Sequence, residues 1–185
     1  VMESAFGFGG FAKQGDWTIL LSAAQMELED DVSGNVGATD IDVDVKYTRG
    51  KAELAAVYNF AASGDHSFGV LFGLNHTAQE YEVNISGGAS LSGTFDDSWT
   101  DVIVGVTHSY PISPTMIWTS RADVGSEGRA FIDTGITWVL SKSWTTRLYA
   151  SATQYDYESG SRGSSDWYKY DATESGVGLS AAYMF

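Results

Sequence analysis

The chain has no cysteine, only 2 prolines, few cations and no long apolar run. Without cysteine there is no disulfide scaffold, no thiolate metal site and no cysteine nucleophile, although that absence says nothing about the compartment. The 10 Lys and Arg face 24 Asp and Glu, a formal charge of −14. Nucleic acid is thereby excluded as a partner, because binding there depends on cations that displace counterions from phosphates. No apolar stretch approaches the roughly 18 residues of a membrane helix, and mean hydropathy is slightly negative. Residues 1–15 lack the basic start and apolar segment of a signal peptide, so any export signal is expected to be absent from this chain.

What is present favours strands. The 185 residues suffice for one domain with a core and are too few for two ordinary ones. They include 6 Trp, 10 Tyr, 9 Phe and 21 Gly, with 18% charged residues. That charged share is below the roughly 25% of soluble domains, which points to a surface partly covered by something other than water. Weak hydropathy remains compatible with a membrane β-barrel, in which only alternate residues meet lipid.

A period of two runs through the sequence. Thr173, Ser175, Val177, Leu179, Ala181, Tyr183 and Phe185 alternate with Glu174, Gly176, Gly178, Ser180, Ala182 and Met184. Phe68, Val70, Phe72 and Leu74 oppose Gly69, Leu71, Gly73 and Asn75, and Val102, Val104 and Val106 oppose Asp101, Ile103 and Gly105. Further strands are predicted around Trp118, Ile136 and Leu148, with two less regular ones around Ile19 and Tyr58. Ile41, Val43, Val45 and Tyr47 hold the opposite parity to Leu54, which predicts a bulge near residues 48–51. The reading is an all-β, antiparallel up-and-down transmembrane barrel of eight strands. Ten is the alternative, if Arg49-Gly50 is a hairpin turn and Ala5 to Phe11 a strand. A Gly-rich segment over 1–15 precedes a single barrel domain over 16–185. Short links fall near 61–65, 111–114 and 141–143; longer polar ones fall near 29–39, 87–97 and 159–171.

The polar face holds Asp101, Arg121, Asp123, Asp133, Arg147 and Glu174 among Gly, Ser and Thr, and residues 52–120 contain no Lys or Arg. A solvated exterior would carry many more charges, so this face is read as a narrow lumen and the apolar face as lipid-facing. In so small a bore the charges are expected to form an ion-pair plug, a gated pore being the rival. Tyr110, Trp118, Trp138, Trp144, Tyr183 and Phe185 fall near the short-turn ends, as an interfacial girdle would. The glycines of the lumen parity are expected to make room for Tyr149 or Arg147. Asp40, Asp42 and Asp44 share one strand face and form a possible weak site for a divalent cation, or a bridge to anionic lipopolysaccharide; the plain alternative is a solvated acidic rim. His108-Ser109 invites comparison with lipid A deacylases, but neighbours on a strand point to opposite faces and cannot act together directly. No catalytic residues and no cofactor are assigned.

The terminal Val177-x-Leu179-x-Ala181-x-Tyr183-x-Phe185 resembles the carboxy-terminal β-signal of outer-membrane barrels. Trp99-Thr100-Asp101-Val102-x-Val104-Gly105-Val106, Arg121-Ala122-Asp123-Val124-Gly125 and Tyr168 to Gly176 resemble small bacterial barrels in the style of outer-membrane protein A. The resemblance covers Trp99 to Phe185 and is poor before that. It implies a monomeric, integral protein of the bacterial outer membrane. Lipid and lipopolysaccharide would surround it, and the last strand would be read by the barrel assembly machinery. With an even strand count, both termini are expected to be periplasmic. The role expected from the sequence as a whole is membrane-structural or surface-interactive, with a narrow solute channel as alternative and a lipid-modifying enzyme third. A soluble lipocalin-like barrel is the rival fold, since Gly15-Asp16-Trp17 is similar to its Gly-x-Trp opening; lipocalins, however, carry a helix after the barrel, and cysteines.

Overall fold

Alternation at every second residue makes strands, and helices are absent among the described residues. The computed structural model describes residues 2–36, 39–61, 65–164 and 167–183. Nine strands succeed one another: β1 (Met2–Gln14), β2 (Trp17–Val36), β3 (Thr39–Ala61), β4 (Ser67–Ser86), β5 (Leu91–Ser113), β6 (Met116–Gly125), β7 (Ala130–Val139), β8 (Trp144–Ser159) and β9 (Tyr168–Tyr183). All belong to one sheet in which sequence neighbours are sheet neighbours, an antiparallel up-and-down order. From β5 onward the registers include Tyr110 opposite Trp118, Arg121 opposite Asp133, Gly135 opposite Tyr149 and Trp144 opposite Tyr183. The ladder slips once, between Pro111 and Ser113, where proline has no N–H to give.

Among the described residues the strands number nine, between the eight expected and the ten held as the alternative. The Gly-rich residues expected to stand apart form β1 of the same sheet, and Gly15, at a φ of 59°, turns with Asp16 into β2. Arg49-Gly50 is no hairpin, because β3 runs through it. The expectation that both termini share a side rested on an even count and loses that basis.

Much of what looked like loop is also strand. β2 continues to Val36 and β5 begins at Leu91, inside the segments expected to be long links. Their polarity on alternate positions marks contact with water rather than absence of pairing. The strands accordingly differ in length: β6 and β7 have 10 residues each, the span of a tilted strand across hydrocarbon, whereas β3 and β5 have 23.

No bulge is needed in β3. Asp40, Asp42, Asp44, Leu54, Tyr58 and Phe60 are all exposed, while Arg49, Ala55 and Val57 are buried, so one parity faces outward throughout. What changes is the chemistry of the exposed face, from carboxylates to large apolar groups. The apparent phase change came from taking the apolar side for the same side in both halves of the strand.

The contacts divide the chain into two compact units. The first comprises Val1–Gly10, Leu21–Glu53 and Asn75–Thr100. Its exposed positions mix carboxylates and other polar groups with Phe6, Phe8, Leu21, Val32, Leu91 and Phe95, and Lys46 is held to Glu27 at 2.8 Å. That hydrogen bond and charge raise the Lys46 amine above its ordinary range. Tyr47 packs on Tyr81 at 4.6 Å, and Arg49, Gln79 and Trp99 are buried. The second unit comprises Phe11–Leu20, Leu54–Leu74 and Asp101–Phe185. Here the outward alternation is consistently apolar: Phe68, Val70, Phe72, Val102, Val104, Val106, Ile132, Leu148, Val177 and Leu179 are exposed, while Asp101, Asp123, Arg129 and Asp133 are buried. Its apolar cluster joins Ala55, Val57, Leu71 and Ile103 with Leu20 beside them, and Tyr155 and Tyr157 are buried too. An interior so short of hydrocarbon has to be stabilised by polar contacts, and these form the candidate site.

Candidate functional site

Three adjacent strands supply the inward charges. On β6 the odd positions point in, placing Arg121 and Asp123 on one face, and the same parity on β7 and β8 brings Asp133 and Arg147 to it. Arg121 Nε donates to Asp123 Oδ2 at 2.7 Å. Arg129 Nη1 donates to Asp123 Oδ1, so one carboxylate serves two guanidiniums. Arg147 grips Asp133 with both terminal nitrogens, Nη1 lying 3.1 Å from Oδ2, and its Nε donates to Thr119 Oγ1 at 3.1 Å. Aromatic faces complete the layer: Phe131 lies 5.2 Å from the Arg121 guanidinium and 4.9 Å from that of Arg129, and Tyr149 lies 4.9 Å from that of Arg147. The Asp123 side chain has no exposure at all, and those of Arg129, Arg121 and Arg147 have 4, 17 and 24%. Charges so far from water persist because each carboxylate has a hydrogen-bonded cation.

The remaining expected members behave differently. Asp101 is fully buried, yet among the described residues its partner is a turn rather than an arginine: Oδ1 accepts the Glu127 N–H at 2.8 Å. The same turn is tied to β5 by Val102 N–H to Ser126 Oγ at 3.1 Å and to β8 by Asp156 N–H to the Gly128 carbonyl at 3.1 Å. Gly128 has a φ of 76°, a conformation that favours glycine. Glu174, on β9, accepts the Tyr170 hydroxyl at 2.8 Å. Arg129 was not anticipated. It sits just beyond a turn, where no alternation assigns a face, and its only sequence signal is the Gly128 before it.

Elsewhere, Asp40, Asp42 and Asp44 point outward from β3, and Asn35 donates to Asp40. Alternate positions of one strand lie almost 7 Å apart. Among the described residues, no three acidic or imidazole side chains gather closely enough to hold a metal ion. The girdle residues Tyr110, Trp118, Trp138, Trp144 and Tyr183 all flank the turns at 114–115 and 140–143; Trp144 meets Tyr183 edge-on at 5.2 Å. Phe185 lies outside the described residues. His108 and Ser109 occupy opposite faces of β5, and His76 Nδ1 lies 3.0 Å from Thr100 Oγ1.

Comparison with known proteins places the fold. No family model matches the chain, and no curated protein sequence matches it. Among solved structures it is similar to the translocator domain of the autotransporter NalP from Neisseria meningitidis, with 15% identity and a TM-score of 0.57. That match covers 98% of this chain and 66% of the other, so the chain spans just under two thirds of the translocator's length. The KdgM porin in complex with disordered oligogalacturonate also matches, at 10% identity and a TM-score of 0.37 over 98% of this chain and 99% of that one. The fold is that of the outer-membrane β-barrels, all-β and up-and-down, with an apolar exterior and a charged interior.

Proposed function

We propose that this chain is an integral barrel of the bacterial outer membrane whose interior is closed by its own charges. Its role is then to span the membrane and present the polar ends of the long strands at the cell surface. The observation that carries this reading is the burial of Asp123 between two guanidiniums, with Asp133 and Arg147 locked beside it. An open aqueous pore would leave such groups hydrated and separate. The turns at 114–115 and 140–143, with the end of β9, would lie on the periplasmic side, and the acidic outer face of β3 would meet lipopolysaccharide through divalent cations. The narrower likeness to outer-membrane protein A, assembly through the last strand ending in Phe185, and the absence of a catalytic role belong to the same proposal.

A narrow solute channel is the second reading, favoured by the 24% exposure of the Arg147 side chain, which leaves water a way to it. Conductance in a planar bilayer separates the two. The closed reading expects little or no steady current from the wild-type protein; steady current sensitive to Arg147 would replace it with the channel.

A further inference from the structure

Two of the chain's three histidines face each other on the outside of the sheet. His66 precedes β4 and His108 lies on β5, with His66 Nδ1 and His108 Nε2 at 2.9 Å. The rings are held in place: His66 stacks on Tyr110 at 4.6 Å, Phe68 lies 4.8 Å from His108, and Trp118 meets His108 edge-on at 5.4 Å. Elsewhere in such a girdle the polar tip of an aromatic ring turns towards headgroups or water. Here two polar tips are turned towards one another.

A single proton occupies the space between two such nitrogens, donated by one ring to the lone pair of the other. If the donor ring moves its proton to its outer nitrogen, two lone pairs converge on one point and neither imidazole has lost its neutral state. A square-planar copper(II) with two neighbouring metal–nitrogen bonds of about 2.0–2.1 Å needs the nitrogens about 2.8–3.0 Å apart, and a tetrahedral zinc(II) about 3.3–3.4 Å. The pair already stands at the first separation, and the rings have only to tilt so that both lone pairs meet at the ion rather than at each other.

We propose that His66 and His108 form a two-imidazole site for a divalent d-block cation, with copper(II) preferred and zinc(II) weaker, and water completing the coordination. Imidazole suits these ions, and copper stands highest in the divalent affinity order. Residues 52–120 contain no Lys or Arg to oppose a cation, and the net charge of −14 favours its approach. The bound ion would staple the start of β4 to β5 at the short-turn end.

The test is titration of the untagged, folded full chain with copper(II), read by electron paramagnetic resonance and by tryptophan fluorescence. One equivalent should give a signal with two nitrogen ligands and quench emission, most of the quenching being lost in Trp118→Phe. His66→Gln and His108→Gln, which keep polar side chains in the girdle, should each weaken binding by roughly 10–100-fold or more. His76→Gln should bind as the wild type does. Acidification should release the ion, since protons compete for the same lone pairs. Failure to find two-nitrogen coordination in the wild type would overturn the site, and so would its survival in both His66→Gln and His108→Gln.

Discussion

Gly135 stands directly opposite Tyr149, and a Cβ at position 135 would lie 2.7 Å from the Tyr149 Cβ. On the other side of Tyr149 the cross-strand partner is Gly178, whose missing Cβ would come within 2.8 Å of the Tyr149 ring carbon Cε1. The ring thus occupies the space left by Gly178, Gly135 lets the main chain at Leu148 and Tyr149 come close, and the Arg147 guanidinium lies over the ring.

Gly135→Ala should therefore destabilise the barrel by about 1–3 kcal/mol through overpacking, because the obstructing groups include the Leu148 carbonyl, which cannot swing aside. Gly176→Ala is the control, since nothing lies within 4 Å of its added methyl group. Urea unfolding midpoints in detergent or lipid check both; equal midpoints would show that the strands part more easily than this packing allows.

Asp123→Ala removes the shared acceptor of Arg121 and Arg129 beside the Phe131 ring. The expected loss is about 3–5 kcal/mol, more than either arginine truncation alone. The sum of Arg121→Ala and Arg129→Ala should depart from the effect of the double variant, because both meet one carboxylate.

Arg147→Ala should leave Asp133 without its two-pronged partner, at about 1.5–3 kcal/mol. It should also loosen the interior. Closed wild-type protein and a conducting, less stable variant are the expected pair of results. A wild type that already conducts, with only ion selectivity altered by the substitution, would favour the channel.

Protease added to intact cells should cut within 160–167 or 87–90 and leave 114–115 and 140–143 whole. Fragment masses identify the sites. Cleavage confined to 140–143 would invert the assigned orientation.

The transmembrane half of this fold is legible in the sequence because lipid and interior impose opposite chemistry on alternate residues. Val102, Val104 and Val106 against Asp101 and Gly105 leave one assignment, and the pairing of Arg147 with Asp133 follows from shared parity on neighbouring strands. The strand segments with acidic outward positions were misread for the same reason. Where β3 leaves the apolar zone its outward positions become Asp40, Asp42 and Asp44, so the rule that apolar means outward reverses and imitates a bulge. Polar alternation in β2 and β5 likewise imitated loop. Arg129 and the turn that binds Asp101 follow no alternation, and their placement depends on the φ of Gly128 and on neighbours distant in sequence.

The reversal on the outer face has a further consequence. On β3 it falls between Ala52 and Leu54, on β4 between Leu74 and His76, and on β5 between Thr100 and Val102. Rigid hydrogen-bonded strands cannot slide individually to suit a host bilayer, so these three positions set one edge of the hydrocarbon layer the protein would accept, and the girdle beside 114–115 and 140–143 sets the other. A thicker layer would draw Thr100 and His76 into lipid, and a thinner one would leave Leu74 and Val102 in water. Each ångström of hydrophobic mismatch then costs a fraction of a kcal/mol, borne by the lipid around the rim.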